Sequence, residues 1–164
     1  MKRSHPPLIK FYEAIWCIAD ERIEIQDNNW LFDSWVIEAK IFSSSKQKFY
    51  TVKYSESENA IMMNDNWAYW KWYLWYTWIA LLLQIGKLEL KREFLSYLKW
   101  IKRKDINTKN KNDFDKTKQE VDEIIVSMWW DLDWFQKYLS DLENKVRKLF
   151  LDMLWPKILP PEWY

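Results

Sequence analysis

The sequence predicts an α+β fold, and three observations lead to this prediction. Apolar residues recur every three to four positions over residues 8–19 and again over the last third of the chain, the spacing of amphipathic helices. Two runs, 36–42 and 48–54, alternate with period two as half-buried strands do. Residues 72–86 carry no charge and indicate a buried helix. We therefore expect an N-terminal helix, a small antiparallel sheet of three to four strands, a central apolar helix and a C-terminal helical hairpin.

The N-terminal half supplies the first helix and the strands. The first helix covers residues 8–19, and Ile23–Ile25 is a short strand before the turn Asp27-Asn28-Asn29. Runs 36–42 and 48–54 form a β-hairpin around a polar connection, and residues 60–63 add a third strand. In the hairpin, one strand directs Ile37, Ala39 and Ile41 to a single face, and the other directs Tyr50, Val52 and Tyr54.

The remaining elements are predicted to be helical. The central helix runs from about 73 to 85, the polar knot Asn64-Asp65-Asn66 can cap its start, and Gly86 suits the left-handed position after it. A helix over about 88–100 is followed by a basic connector, 99–111. Two helices, about 114–128 and 132–153, then pair as a hairpin. Three prolines leave an extended tail.

Length and composition set broad limits on domain number and class. A chain of 164 residues is expected to be one domain, 1–164, with an α/β part at about 8–101, the helical hairpin at about 105–154 and the tail at 155–164. Its net charge of +1 gives no overall field for nucleic acid or membrane. The single cysteine, Cys17, favours a reducing, cytoplasmic location. The uncharged run is shorter than the roughly 20 residues that span a membrane, so no membrane association is expected.

Glycine and tryptophan occur in unusual numbers. The chain has one glycine where about 11 are usual, and it has 14 tryptophans. Several tryptophans stand where glycine suits the backbone, at Trp30 in the first turn, Trp129-Trp130 between two helices, and Trp155 and Trp163 in the tail. We hypothesise that UGA, read here as tryptophan, encodes glycine in the source organism. A truly tryptophan-rich protein is the alternative.

No residue set with the pattern of a catalytic centre stands out. His5 lies beside two prolines near the terminus and is expected to be exposed. Cys17 lies within the first helix without a neighbouring base, which favours a buried structural cysteine over a nucleophile. Ser43-Ser44-Ser45 lacks the surroundings of a nucleophilic serine or a phosphate-binding loop and is expected to be a hairpin loop. We expect no metal and no cofactor.

Two segments are candidate contact sites. The first is the knot, Asn64, Asp65 and Asn66, with Tyr69, because helix N-termini attract anions and Asp65 can act as an acid or cation ligand. Capping and turn formation explain the same residues. The second segment is the basic connector, whose charges could contact phosphates; a solvated connector is the alternative. Its candidate residues are Lys99, Lys102, Arg103, Lys104, Lys109 and Lys111.

Residues 36–83 resemble the ββα layout of SWIM-type zinc domains. The similar features are the strand pair VIEAKIFSSSKQKFYTVKY, the polar knot and a helix that ends IALLL. The family's zinc set is C-x-C…C-x-H, and residues 36–83 contain no cysteine or histidine. The resemblance therefore implies a metal-free relative that binds nucleic acid or protein.

Three functions remain open at this point. The leading one is a small intracellular binding or adaptor protein without catalytic activity, which contacts its partner at the knot. The first alternative is a nucleic-acid-associated protein that uses the connector 99–111, and the second is an enzyme with a site near Asn64-Asp65-Asn66. The partner could be protein or nucleic acid, and the oligomeric state is open.

Overall fold

The structure, a computed structural model, describes residues 5–26, 36–71 and 75–161. The strands in chain order are β1 (Ile23–Ile25), β2 (Val36–Phe42), β3 (Phe49–Ser55), β4 (Ala60–Met63) and β5 (Asp152–Met153). The helices are α1 (Ile9–Ala19), α2 (Asn66–Lys71), α3 (Tyr76–Gln84), α4 (Leu95–Lys99), α5 (Arg103–Lys109), α6 (Phe114–Ser127) and α7 (Leu132–Lys148), with a 3₁₀ turn at Arg92–Phe94 before α4. The predicted α+β class is confirmed.

The strands form one mixed sheet in the order β1-β2-β3-β4-β5. The predicted hairpin is confirmed, because β2 and β3 pair antiparallel with Ala39 opposite Val52 and Ile41 opposite Tyr50. The expected three to four antiparallel strands are extended by β5, which lies parallel to β4. The sequence pattern does not reveal β5, because this strand is only two residues long and forms where the chain after α7 returns to the sheet edge. Next to it, Asn59 Nδ2 donates to the carbonyl of Phe150 at 2.5 Å.

The main core lies where α1 and α3 meet the sheet and the C-terminal helices. Helix α3 packs on β3, β4 and α1, and α1 also contacts α4, α6 and α7. All residues of α1 are buried, although the spacing of its apolar residues predicts a helix with one buried stripe. Surrounding elements cover the rest of α1, so its charged residues lie inside the protein.

The helices differ from their predicted boundaries around the knot and the basic segment. Asp65 does cap a helix, but this helix is the short α2, and α3 begins separately after Trp75. The expected connector 99–111 contains α5. The predicted helix over about 88–100 is reduced to the 3₁₀ turn and α4. The turn at Asp27-Asn28-Asn29, the predicted helix start at Tyr73, and Trp30 and Trp163 lie outside the described residues.

Several helices end with a residue in the left-handed region. Gly86 after α3 has φ 79°, as predicted, and Trp129 after α6 has φ 62°. At the α6 end, the N–H groups of Trp129 and Trp130 donate to the carbonyls of Val126 and Ile125, the bond pattern of a Schellman motif. In the described part of the chain, no helix has both the length and the hydropathy needed to cross a membrane.

Candidate functional site

Helix α1 carries a polar stripe through the core. Lys10, Glu13 and Cys17 are spaced three and four residues apart, so they lie on one face of the helix. The side chains of Lys10 and Glu13 are 2% and 1% exposed. Because charged side chains are almost never this buried unless they are paired, the stripe requires partners from other elements.

Arg103, the first residue of α5, is the partner that a distant part of the sequence contributes to this stripe. The Lys10 ammonium donates to both carboxylate oxygens of Glu13 at 2.8 Å, and Arg103 Nη2 donates to Glu13 Oε1 at 2.5 Å. One carboxylate therefore joins two cations that are 93 positions apart in the sequence. We call Lys10, Glu13 and Arg103 the buried charge cluster.

Two aromatic rings enclose the Lys10 end of the buried charge cluster. The Lys10 Nζ atom lies 3.6 Å from the ring centroid of Trp75 and 4.5 Å from that of Phe114, within the range of cation–π attraction. Burial lowers the pKa of Lys10 to about 8, and the neighbouring Glu13 carboxylate opposes part of this shift. Lys10 therefore loses its proton at a lower pH than an ordinary lysine does.

Asp65, a residue of the predicted knot site, lies at the edge of this cluster. Its Oδ1 accepts from the N–H of Ala68 at 2.9 Å and caps α2, and its Oδ2 accepts from Thr77 Oγ1 at 3.4 Å. Its negative charge also raises the pKa of Lys10. The side chain is 3% exposed, so its oxygens face the protein interior.

The other knot residues have structural contacts. Asn64 is buried and uses both ends of its amide, accepting from the N–H of Thr51 at 2.7 Å and donating to the carbonyl of Leu159 at 3.0 Å. Asn66 is half-buried in the first turn of α2. Tyr69 is also half-buried, and its carbonyl accepts from Lys157 at 3.1 Å. Asn64 therefore ties β3 to the C-terminal tail, and Asn64 and Asp65 present little surface to a partner.

Cys17, at the other end of the stripe, is fully buried. This confirms the prediction that the cysteine is buried. Burial raises the pKa of its thiol to about 12, so the sulfur stays protonated and is a poor nucleophile. Burial also raises the pKa of Tyr76, which lies close enough to respond to the charges of Arg22 and Arg103. The fully buried Arg22 donates to the carbonyl of Phe42 at 3.0 Å.

The remaining sequence candidates are the serine run and His5. Ser43–Ser45 forms the predicted hairpin loop, closed by the bond from the Ser43 N–H to the carbonyl of Lys48 at 2.8 Å. His5, expected to be exposed, is half-buried with its Nδ1 4.0 Å from a Glu143 oxygen. Within residues 5–26, 36–71 and 75–161, no three His, Cys, Asp or Glu side chains gather as metal ligands would.

The predicted basic residues separate into two groups. Two of them have carboxylate partners: Arg103 turns inward to Glu13, and Lys109, although 69% exposed, pairs with Glu120 at 2.8 Å. Lys99, Lys102, Lys104 and Lys111 are exposed.

Lys99 lies where two adjoining grooves of about 440 and 320 Å³ meet, at the C-terminal end of α1. The exposed Arg92 lines one groove, and Lys46 of the hairpin loop lines the other. Two carboxylates oppose these cations, because Glu21 lines both grooves and Asp20 lines the smaller one, where it pairs with the buried Arg22 at 3.4 Å. Three cations from separate parts of the chain therefore surround one recess.

The sequence interpretation missed the buried charge cluster. Its members lie on α1 and α5, and no local pattern links them. One signal was available: Lys10 and Glu13 occur three residues apart inside an otherwise apolar helix, which is typical of a buried, internally paired set.

Comparison with known proteins places the chain in a family. Residues 3–152 match the family model described as Uncharacterised conserved protein UCP014422. Neither the curated proteins nor the solved structures include a match to the chain. Because the family model covers most of the sequence, the chain belongs to the family described as Uncharacterised conserved protein UCP014422.

Proposed function

We propose that the protein binds nucleic acid without catalysing a reaction, and that it does so through a basic face. This basic face consists of Lys46, Arg92 and Lys99 around the two grooves, followed along the chain by the exposed Lys102 and Lys104. The convergence of Lys46, Arg92 and Lys99 on one recess carries the proposal. A duplex or single strand offers phosphates at regular spacing, and cations spread along a groove can contact several of them.

The knot supports a binding role less well than the basic face. Asn64 and Asp65 are buried, and their side chains already bond within the protein. An adaptor role through Asn66 and Tyr69 would therefore use only two half-buried side chains. We retain a cytoplasmic location as part of the proposal, because a free buried cysteine suits a reducing compartment.

Fluorescence anisotropy with labelled RNA and DNA, in single-stranded and duplex form and at stepped salt concentrations, tests this proposal. We expect binding that weakens as salt rises, because phosphate contacts release counterions. The triple variant Lys99→Gln, Lys102→Gln, Lys104→Gln should lower affinity for all sequences. It should also reduce the salt slope by roughly one for each phosphate that a lysine no longer neutralises.

The matched control changes three exposed lysines of α7, Lys137, Lys145 and Lys148, to glutamine. Both triple variants have the same net charge, so a difference in affinity between them reports where the lysines lie and not how many are lost. The control also loses the 2.9 Å ion pair between Lys145 and Glu89, which joins two exposed side chains. Equal reductions in affinity in both variants, or no binding to any nucleic acid at low salt, would remove the basic face as the contact site.

We also propose that some tryptophan positions are glycine in the protein as its source organism makes it. Trp129 supports this most directly. Its φ of 62° places a β-carbon in the left-handed region, at a cost of roughly 1–2 kcal/mol, and its side chain is 96% exposed, so little burial offsets the strain. Gly86 fills the corresponding position after α3. Trp16 differs: it is fully buried, and its indole N–H donates to the carbonyl of Leu98 at 2.6 Å.

The codons at the 14 tryptophan positions test this second proposal; UGG at most of them would refute it. A stability measurement complements the codons. Trp129→Gly should stabilise the protein by about 1 kcal/mol by removing the strain. In contrast, Trp134→Gly should destabilise it, because residue 134 lies inside α7 and its ring is 4.6 Å from that of Phe94.

A further inference from the structure

Two phenylalanines lie side by side at the tip of the β2–β3 hairpin. Phe42 is the last residue of β2, Phe49 is the first residue of β3, and the two pair directly across the strands. Their ring centroids are 5.9 Å apart, and the ring planes meet at 56°. Phe42 is half-buried and Phe49 is 41% exposed. We call Phe42 and Phe49 the ring pair.

The ring pair lies on the outer face of the sheet, which is the face opposite the main core. Ile41, next to Phe42, is fully buried in that core, and successive side chains of a strand point to opposite faces. The C-terminal tail covers the outer face at β4, where Leu154 packs with Met62. At the hairpin tip, by contrast, Phe49 is exposed. Its ring is therefore accessible to a ligand on this face.

Charged side chains of both signs surround the ring pair. Lys40 lies on the outer face, with its Nζ 5.1 Å from the ring centroid of Phe49. Glu38 on the same face pairs with Lys53 at 2.7 Å, and Glu24 of β1 is opposite Lys40 in the sheet register. These charges nearly cancel. The positive charge that would attract phosphates therefore comes mainly from the grooves of the basic face.

The ring pair and the basic face meet at the hairpin loop. Ser44 and Lys46 of this loop line the smaller groove together with Lys99. Phe42 precedes the loop and is held to Arg22, which also lines this groove. The Phe42 N–H donates to the carbonyl of Arg22 at 2.8 Å, and Arg22 Nη1 donates to the carbonyl of Phe42 at 3.0 Å. A polymer that contacts the cations of the groove can therefore continue across the loop to the rings.

We propose that the nucleic acid bound by the basic face is single-stranded, and that one of its bases stacks on the ring pair while its phosphates contact Lys46 and Lys99. The inference rests on the proposed function and specifies the ligand of the same site. Bases in a duplex are stacked on one another, whereas a single strand offers the flat faces of its bases. A cationic groove that continues to exposed aromatic rings holds such a strand with little preference for sequence. Both rings are phenylalanine, so the codons at the tryptophan positions do not affect this inference.

Fluorescence anisotropy of the full-length chain with three labelled probes tests the inference. The probes are a single strand, the corresponding duplex, and a single strand of equal length with abasic positions, made in whichever of the RNA and DNA forms binds more tightly. The abasic strand keeps the phosphates and lacks the stacking faces, so the parent chain should bind it roughly fivefold more weakly than the intact strand. Phe49→Leu should remove this preference. It should leave the duplex affinity and the salt slope unchanged, because no phosphate contact is lost.

Two further variants and one measurement on the parent chain serve as controls. Phe49→Tyr keeps an aromatic ring and should bind the intact strand as the parent chain does. Phe150→Leu changes a phenylalanine that is 85% exposed and lies beside Asn59, at the opposite end of β3, and it should leave the affinity unchanged. NMR of the parent chain should show upfield shifts of the Phe42 and Phe49 ring protons when the single strand is added, a readout that needs no substitution.

Equal affinity of the parent chain for the intact and abasic strands would overturn the inference, as would equal losses of affinity in Phe49→Leu and Phe150→Leu. Failure of the inference can be separated from failure of the proposed function. If the triple lysine variant binds more weakly but Phe49→Leu does not, the basic face remains the contact site and only the stacking of a single strand is refuted. If no nucleic acid binds at low salt, both proposals fail.

Discussion

Three consecutive basic residues, Lys102, Arg103 and Lys104, lie in two different environments. Arg103 points into the core and bonds Glu13, while the lysines on either side are exposed. Lys102 is the N-cap of α5, and Arg103 and Lys104 are the first two helical residues, whose side chains point about 100° apart. Arg103 therefore reaches the buried carboxylate while Lys104 remains at the surface. One run of positive charge in the sequence therefore combines a structural role, at Arg103, with a proposed binding role, at Lys102 and Lys104.

The energetic difference between the two environments is large. Removal of one partner from a buried pair leaves an uncompensated charge in a low-dielectric interior, at a cost of about 3–5 kcal/mol. An exposed charge is stabilised by water and screened by salt, so its removal changes stability little. Substitutions in the two regions should therefore have very different effects on the free energy of unfolding.

Glu13→Gln should have the largest effect. The change keeps the side-chain shape but leaves the buried Lys10 and the partly buried Arg103 without their shared carboxylate. We expect a decrease of about 3–5 kcal/mol in the free energy of unfolding, measured by urea denaturation. Glu120→Gln is the matched control, because its partner Lys109 is 69% exposed, and it should cost less than about 1 kcal/mol. Equal decreases from Glu13→Gln and Glu120→Gln would show that the buried charge cluster stabilises the protein no more than an exposed ion pair does.

Lys10 should make stability depend on pH in a defined window. Its pKa is about 8 in the folded protein against 10.5 unfolded. Below pH 8 the ammonium is charged in both states, and its burial opposes folding. As the pH rises from 8 to 10.5, the folded state loses this proton first, so stability should increase by about 3 kcal/mol.

Urea denaturation of the parent chain and of Lys10→Met over this pH range checks the Lys10 prediction. The difference between the two proteins isolates Lys10, because Cys17 also titrates differently in the folded state and acts in the opposite direction above pH 9. A difference that stays constant from pH 8 to 10.5 would contradict the assignment. Lys137→Met, at an exposed position, should show no such trend.

Arg103→Gln should have an intermediate effect. Glu13 keeps Lys10 as a partner but no longer accepts the 2.5 Å bond from Arg103, and α5 loses its charged link to α1. Hydrogen bonds to charged groups contribute roughly 1.5–3 kcal/mol, so we expect a decrease in this range on thermal or urea unfolding. A cost below about 0.5 kcal/mol, the usual limit for surface changes, would show that Arg103 contributes as little to stability as the exposed lysines of the basic face.

Lys102→Gln and Lys104→Gln should have the smallest effect on stability. Both side chains are exposed, and surface changes of this kind usually stay within about 0.5 kcal/mol. The same urea denaturation used for Arg103→Gln gives a direct comparison between adjacent residues at the start of α5. A large decrease from either substitution would indicate an internal contact and would weaken the proposed role of that lysine in binding nucleic acid.

The fold was largely predictable where the pattern is local. The hairpin of β2 and β3 follows from period-two alternation, and α6 follows from its apolar stripe, so all three appear close to their expected positions. Helix α7 begins where the stripe predicts but ends at Lys148 and not at 153, and residues 152 and 153 form β5 instead. Strand β5 was not predictable, because two residues carry no periodicity. The cap at Asp65 was predicted correctly as a feature but assigned to the wrong helix, since α2 separates it from α3.

The sequence by itself determined the α+β class, the β2–β3 hairpin, the left-handed Gly86 and the imbalance between glycine and tryptophan, because each depends on residue type and near neighbours. Only the tertiary structure decided that Lys10 and Glu13 are buried, that Arg103 joins them across 90 residues of chain, and that Lys46, Arg92 and Lys99 surround one recess. These arrangements depend on how distant elements pack. The residues next to a charged side chain in the sequence do not indicate which distant residue will pair with it.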